Sequence, residues 1–332
     1  MINIALVGYG YWGPNVARNI YKNTEFKFVS ICDKRQDRLD MAKQLYANEI
    51  QYTTNFSEVI ENKEIQAVAL AVETSAHYEL AKLALLAGKH VYVEKPFTST
   101  LKEAIELKEL AEQKGLLIHV DHIMVYHNAI KKIKEIVDSK EIGEIVCFDC
   151  SRLNLGNVKN DVSSMWDLGV HDLSIIDYLT DGQKVQCVEA MGAKQFSKKE
   201  SVTFLNAQYD TFLANIRSSW LSPIKERKLI IIGTKKMIVY DDVELINKLI
   251  VYDKGFDISM DNSNVEYEDF APKARVGDAR IPFVPMGDAL YNSLEHFRQC
   301  IINGVPSLTD PDAAIRVLEI LERADEQLEK KK

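Results

Sequence analysis

The chain opens on "MINIALVGYGYWGPNVARNI": a short apolar run, three glycines in the spacing GxGxxG, then a stretch of helical periodicity. Alone the glycine pattern is weak. Between a strand and a helix it describes a specific turn. Gly8 permits a tight bend, Gly10 lets the backbone approach a pyrophosphate, and Gly13 lets helix and strand pack closely, with Tyr11 and Trp12 completing the turn. The helix N-terminus then offers N–H donors and positive dipole to phosphate. Pro14 sits where a missing N–H costs little. Asp33 ends the second apolar run, 20 residues after Gly13. A carboxylate there hydrogen-bonds the ribose 2′-hydroxyl of NAD and repels the 2′-phosphate of NADP. Lys34 and Arg35 follow at once and would embrace that phosphate if they turned inward. NAD is the expected cofactor, and NADP stays open.

Apolar runs at 2–7, 26–33, 67–72, 90–96 and 116–120 alternate with helical stretches at 12–22, 35–46, 56–62, 76–87 and 100–114. Strands alternating with amphipathic helices predict an α/β fold, here a Rossmann domain over residues 1–120 with a doubly wound parallel sheet. Such sheets bind ligands at the carboxyl ends of their strands. Glu73–Thr74–Ser75 and Glu94–Lys95–Pro96 lie at two such ends, so Thr74, Glu94 and Lys95 are candidate cofactor contacts. His77 is either a further contact or an ordinary first-turn helix residue. Lys95 either polarises a substrate oxygen and relays a proton, or binds only cofactor phosphate or ribose.

Past residue 121 the pattern changes. Helical stretches at 129–138 and 167–179 precede β-rich runs at 184–196, 201–210, 211–220, 227–234, 236–242 and 248–253. A polar stretch, 254–282, reads as a long loop, and helices at 287–303 and 311–329 close the chain. Short polar turns between the runs predict an open, mostly antiparallel sheet in a C-terminal α+β domain, 121–332, whose last helix packs back on the first domain. "LIIIG" and "KMIVYD" are apolar on both alternating faces. One face can take the domain's own helices. The other needs cover from a crossover segment or, more simply, a second subunit, so a homodimer or homotetramer is expected.

A length of 332 residues exceeds what one core usually serves, in keeping with two domains. Net charge is −8, so there is no basic excess for nucleic acid or an anionic membrane, although a local pocket can still be positive for a sugar nucleotide. No apolar run approaches a membrane span, and the start runs straight into the glycine turn with no leader pattern. Five scattered cysteines fit a reducing compartment, so a cytoplasmic location is expected. Cys147 and Cys150 form a CxxC spacing within "IVCFDCSR", which reads as a strand. Positions three apart on a strand point to opposite faces, so no metal or redox site is expected.

The segment "WDLGVHD", 166–172, carries the remaining chemistry. Asp167 and His171 are four apart and share one face of a helix. They are either a cap and a core histidine, or a working pair in which His171 takes a hydroxyl proton and Asp167 orients it or holds the sugar. Asp172, about 100° further round, reads as an outward or structural charge.

"GYGYWG", "EKP" at 94–96 and "DLGVHD" at 167–172 together resemble the glucose–fructose oxidoreductase / inositol dehydrogenase (Gfo/Idh/MocA) family, over nearly the whole chain. The resemblance implies that Lys95, Asp167 and His171 surround the carbon that exchanges hydride. It also implies that the second domain's sheet binds substrate and supports oligomerisation. "RLNLGNVKNDVSSMWDLGVHDLSIIDYL" looks like a nucleotide-sugar branch, which implies oxidation of UDP-N-acetylglucosamine at the 3-hydroxyl. Arg152, Asn154 and Trp166 are then candidate substrate contacts, each also readable as an ordinary loop or core residue. One departure stands out. Asp121 occupies a position where many members have glycine, while His122 is retained beside the expected nicotinamide site. An NADPH-dependent reductase of a keto-sugar nucleotide, a polyol or free-sugar dehydrogenase, and a non-catalytic dinucleotide sensor are the rival readings.

Overall fold

The computed structural model describes residues 1–46, 49–257 and 273–330. The chain forms two compact units, one of Met1–His127 with Gly287–Glu322, the other of Asn128–Met286 with Arg323–Lys332. The sequence reading draws one boundary near 120. The units instead change over at 127/128, and the chain returns to the first unit at Gly287.

The first unit is built on six parallel strands, β1 (Ile2–Val7), β2 (Phe26–Cys32), β3 (Gln51–Thr53), β4 (Ala67–Leu70), β5 (His90–Glu94) and β6 (Ile118–Asp121). Their order is β3-β2-β1-β4-β5-β6, so the winding reverses between β1 and β4. Helices α1 (Gly13–Lys22), α2 (Gln36–Lys43), α3 (Phe56–Glu61), α4 (Thr74–Leu86) and α5 (Leu101–Lys114) make the crossovers. β4 is buried at every residue, as a central parallel strand must be. α5 shows how locally the boundaries are written. Thr100 and Glu103 close a capping box at its start, and Gly115 at φ +64° ends it. Its buried stripe is Ala104, Leu107 and Ala111.

After the second unit come α8 (Ala289–Asn303) and α9 (Pro311–Lys330). Leu290, Leu294 and Phe297 of α8 join the core formed by Ile4, Leu6, Val16, Ile20 and Tyr92.

The second unit holds an eight-stranded sheet made of β7 (Ile145–Leu155), β8 (Cys187–Ala193), β9 (Val202–Gln208), β10 (Leu213–Ser219), β11 (Leu221–Gly233), β12 (Met237–Asp241), β13 (Leu249–Asp257) and β14 (Lys273–Arg280). The order is β14-β13-β12-β11-β7-β10-β9-β8, antiparallel except where β10 runs parallel to β7. The stretch 254–282 is therefore not a loop throughout. β13 and β14 take up its two ends, and 258–272 lies outside the described residues.

Two helices, α6 (Asn128–Asp138) and α7 (Val170–Leu179), pack together. A π-helical turn, Met165–Gly169, leads into α7 and lies against β9 and β10. The sheet's two faces differ. Phe148, Cys150, Leu205, Ile216, Leu229 and Ile231 are buried on one face. On the other, Met191, Phe204 and Leu213 are exposed, with Ile230 and Ile232 half-buried. Cys147 and Cys150 point to opposite faces of β7, and all five cysteines are unpaired. Among the described residues no helix is long and apolar enough to cross a membrane, and no cluster of His, Cys, Asp and Glu could hold a metal.

Candidate active site

The three glycines of the opening turn have three different surroundings. A Cβ on Gly8, at φ +95°, would stand 2.3 Å from the Ala71 carbonyl oxygen. One on Gly13 would stand 2.3 Å from the Gly8 carbonyl oxygen. Both must be glycine for packing alone. At Gly10 the nearest atom would be Arg35 Nη2 at 3.9 Å, which leaves open space where a diphosphate would approach. Trp12 is the N-cap of α1 and no side chain caps the helix. The first-turn N–H donors thus take no side-chain partner, which suits an anion. Asp33 is buried at the end of β2 and accepts the Tyr9 N–H at 2.6 Å and the Arg35 N–H at 2.9 Å. A carboxylate has about four acceptor positions, so two remain for ribose hydroxyls. Arg35 lies 3.7 Å from Asp33, and Lys34 is exposed. A helix start with no side-chain cap, an open glycine and a held carboxylate together fit a dinucleotide.

At the same sheet edge, β5 and β6 end in register, Glu94 opposite Asp121. Lys95, half-buried, follows Glu94 and is joined to Pro96 by a cis peptide bond. His122 follows Asp121. It is buried, neither ring nitrogen has a partner, and its pKa is pushed down to about 3 by burial and by the Lys95 charge. A neutral imidazole with one unmet donor and one unmet acceptor fits a group offering both, such as a carboxamide. Thr74 opens α4 at the neighbouring strand end.

His77 does not reach outward. It is buried, with Nδ1 2.9 Å from the Pro96 carbonyl and Nε2 3.2 Å from that of Val72. The ring ties the two loops together, so the structure gives it a positioning place instead of a cofactor contact. Glu94 likewise turns its carboxyl inward, with Oε1 fully buried.

In the second unit, Asp167 and His171 belong to one continuous helical run. Asp167 lies in the π turn and His171 in the first turn of α7, both half-buried. The wider π winding is invisible to a count of four residues, and π turns recur at functional sites. Asp167 Oδ1 accepts Lys159 Nζ at 2.8 Å and Oδ2 accepts the Trp220 indole N–H at 3.3 Å. Sequence reasoning missed both donors. Lys159 is eight residues away in a polar loop and Trp220 lies beyond three strands, so neither shows in local spacing.

Two of the three expected substrate contacts change. Arg152 is buried on β7 and its guanidinium is engaged by Asp172, at 2.8 and 3.2 Å. That is an internal ion pair, and Asp172 is structural, not outward. Trp166 is buried and donates its indole N–H to Asp325 at 2.9 Å, so it fills core. Asn154, half-buried near the end of β7, keeps its candidacy.

Residues 2–122 match the Gfo/Idh/MocA oxidoreductase family's NAD-binding Rossmann fold, and residues 130–239 match that family's C-terminal domain. The chain belongs to the Gfo/Idh/MocA family and carries its NAD-binding Rossmann domain. The oxidoreductase YhhX of Escherichia coli (strain K12) is 26% identical over 98% of this chain and 97% of its own. The scyllo-inositol 2-dehydrogenase (NAD(+)) of Bacillus subtilis (strain 168) is 24% identical over 95% of this chain and 91% of its own. UDP-N-acetylglucosamine 3-dehydrogenase of Acidithiobacillus ferrooxidans is 28% identical over 58% of this chain and 60% of its own. A solved structure of the latter enzyme superposes with a TM-score of 0.81 over 99% of this chain and 98% of that one, at 22% identity, a likeness of fold.

Proposed function

We propose that the protein oxidises a secondary hydroxyl of a sugar ring with NAD, and that the sugar is a UDP-N-acetyl sugar reacting at carbon 3. The observation that carries this reading is Lys95 at the carboxyl edge of β5, on the same sheet edge as the open glycine turn and beside neutral His122. When bound, the dinucleotide supplies the hydride acceptor. Gly8, Gly10, Tyr11, Trp12 and Gly13 hold its diphosphate, Asp33 its ribose, and Thr74 and His122 contribute from neighbouring strand ends. Asp33 favours NAD over NADP, because its buried carboxylate repels a 2′-phosphate and Arg35 is drawn to it.

The substrate hydroxyl needs a base and its oxygen needs a cation. His171 takes the proton, and Lys95 stabilises the developing alkoxide by a charge-assisted hydrogen bond. Asp167, fixed by Lys159 and Trp220, holds the sugar or orients His171. Asn154 is the remaining candidate for sugar contact. The UDP-sugar is favoured over a polyol by the likeness of residues 152–179 to a nucleotide-sugar branch, and one relative acts on UDP-N-acetylglucosamine. The other relative's inositol makes polyol oxidation the second reading. The open sheet face, with Met191, Phe204 and Leu213, is proposed as the surface of self-association into a dimer or tetramer. The unpaired cysteines favour a cytoplasmic setting.

UDP-N-acetylglucosamine deuterated at carbon 3 tests the proposal. The label should leave the sugar and appear in the reduced nicotinamide. Reduced nicotinamide without label would move the reaction to another carbon, and reduction by inositol alone would favour the polyol reading.

A further inference from the structure

Glu94 and Asp121 are register partners on the parallel strands β5 and β6, and such strands lie about 4.8 Å apart. Glu94 Oε1 and Asp121 Oδ2 are both buried, and neither has a hydrogen-bond partner. Two ionised carboxylates offer only acceptors, so side by side in a buried setting they repel and satisfy nothing.

The other oxygen of Asp121 shows which carboxyl keeps the charge. Ser293 Oγ donates to Asp121 Oδ1 at 2.8 Å. A hydroxyl carries one proton, and Ser293 spends its own on Asp121, so His119 Nε2, 3.0 Å from Ser293 Oγ, donates to it, while the Tyr92 hydroxyl, also at 3.0 Å, faces both Ser293 and Asp121. His119 is then the Nε2–H tautomer, and its Nδ1 accepts from Ser307 Oγ at 2.9 Å. The donors run one way, from Ser307 through His119 and Ser293, and end on Asp121. The donor missing at Asp121 Oδ2 is available on Glu94 if Glu94 is protonated.

We infer that Glu94 and Asp121 share a single proton, carried on Glu94, and that the pair is a positioning group that sets one negative charge behind Lys95. The second half rests on the proposed role of Lys95 at the reacting oxygen. Burial drives both carboxyls upward. Glu94 goes further because the Asp121 charge adds to burial, while the Ser293 hydroxyl holds Asp121 back. The groups facing the pair are the Trp12 indole at the start of α1, Tyr92 on β5, Lys95 beyond it, His119 on β6, His122 after it and Ser293 on α8. His119 and His122 are neutral, so Lys95 is the one cation among these groups. A pair with one charge holds that ammonium. A neutral pair would release it, and a doubly ionised pair would pin it.

The test reads the proton directly. Infrared spectra of the NAD-bound full chain at neutral pH, without substrate, should contain the carbonyl stretch of a protonated buried carboxyl. Glu94→Gln should remove that band. So should Asp121→Asn, because the remaining acid then ionises against an amide donor. Each single variant keeps one negative charge and Glu94→Gln/Asp121→Asn keeps none. The double variant should fall at least about 30-fold in kcat below either single variant. Its NAD affinity should match theirs, and the alkaline limb of its kcat–pH profile should move to lower pH as Lys95 loses its anion. Absence of the band in the wild type, or a double variant no worse than the singles, overturns the inference. Full activity of Lys95→Met would instead refute the role of Lys95 while leaving the band in place, so the two failures are distinguishable.

Discussion

Arg152 and Asp172 show how the same residue types can be read as chemistry or as scaffold. Their side chains are 5% and 2% exposed and form two hydrogen bonds. Removing one partner strands the other as a buried charge. Asp172→Ala should therefore lower the stability of the second unit by about 3–5 kcal/mol, measured by urea unfolding. A loss under about 1 kcal/mol would show that Arg152 finds water or another partner, which would reopen its candidacy as a substrate contact. Sequence spacing pairs Asp167 with His171 and leaves Asp172 aside. It cannot show that Asp172 turns under β7, because that depends on a strand 20 residues away. The glycines were legible for the opposite reason. Gly8 and Gly13 are dictated by backbone atoms a few residues or one strand away.

Apart from the three-residue β3, which the sequence reading missed, the strands and helices of the sheet in the first unit follow local rules, and their boundaries were readable to within a few residues. Capping at Thr100 and Gly115 is written in the sequence. The π turn before α7 is not, since apolar periodicity does not report one residue of extra winding. β14 was hidden because an edge of a sheet need not be apolar, and it is exposed at most of its residues, whereas the start of β13 was read as a β run. Buried histidines set a pH dependence. His77, His90, His119 and His122 are all pushed down by burial, His122 from 6.5 to about 3. Below pH 6.5 the unfolded chain binds protons that the folded chain refuses, so stability falls as pH drops from about 6.5 toward 3. The raised carboxyls of Glu94 and Asp121 act with the opposite sign, since the folded chain holds their protons more tightly. Asp325, pushed up to about 6 by burial, acts the same way, and four histidines against these two protons still give a net loss. The denaturation midpoint should drop between pH 7.5 and pH 5, and His122→Phe should flatten that slope. A midpoint that rises on acidification would contradict the neutral histidines.

At the scale of the whole molecule, the class of each domain was legible because it depends on the alternation of periods. The return of α8 to the first unit was not, because Leu290, Leu294 and Phe297 look like any amphipathic stripe until their partners are known. The open sheet face is the other whole-molecule feature. Apolar residues on both faces of β11 predict cover, and Phe204 and Leu213 stand exposed on neighbouring strands. Phe204→Lys with Leu213→Lys should shift the sedimentation coefficient from that of an oligomer to that of a monomer. A wild type that sediments as a monomer at micromolar concentration would refute self-association through this face.

The central claim is that an ammonium and an imidazole handle one sugar hydroxyl while other residues hold NAD beside it. Turnover and NAD affinity of His171→Asn, measured on the same preparation with UDP-N-acetylglucosamine, test it most directly. The account predicts NAD binding equal to wild type and a loss of turnover of at least about 100-fold. Unchanged turnover, or a loss matched by an equal loss of NAD affinity, would contradict it.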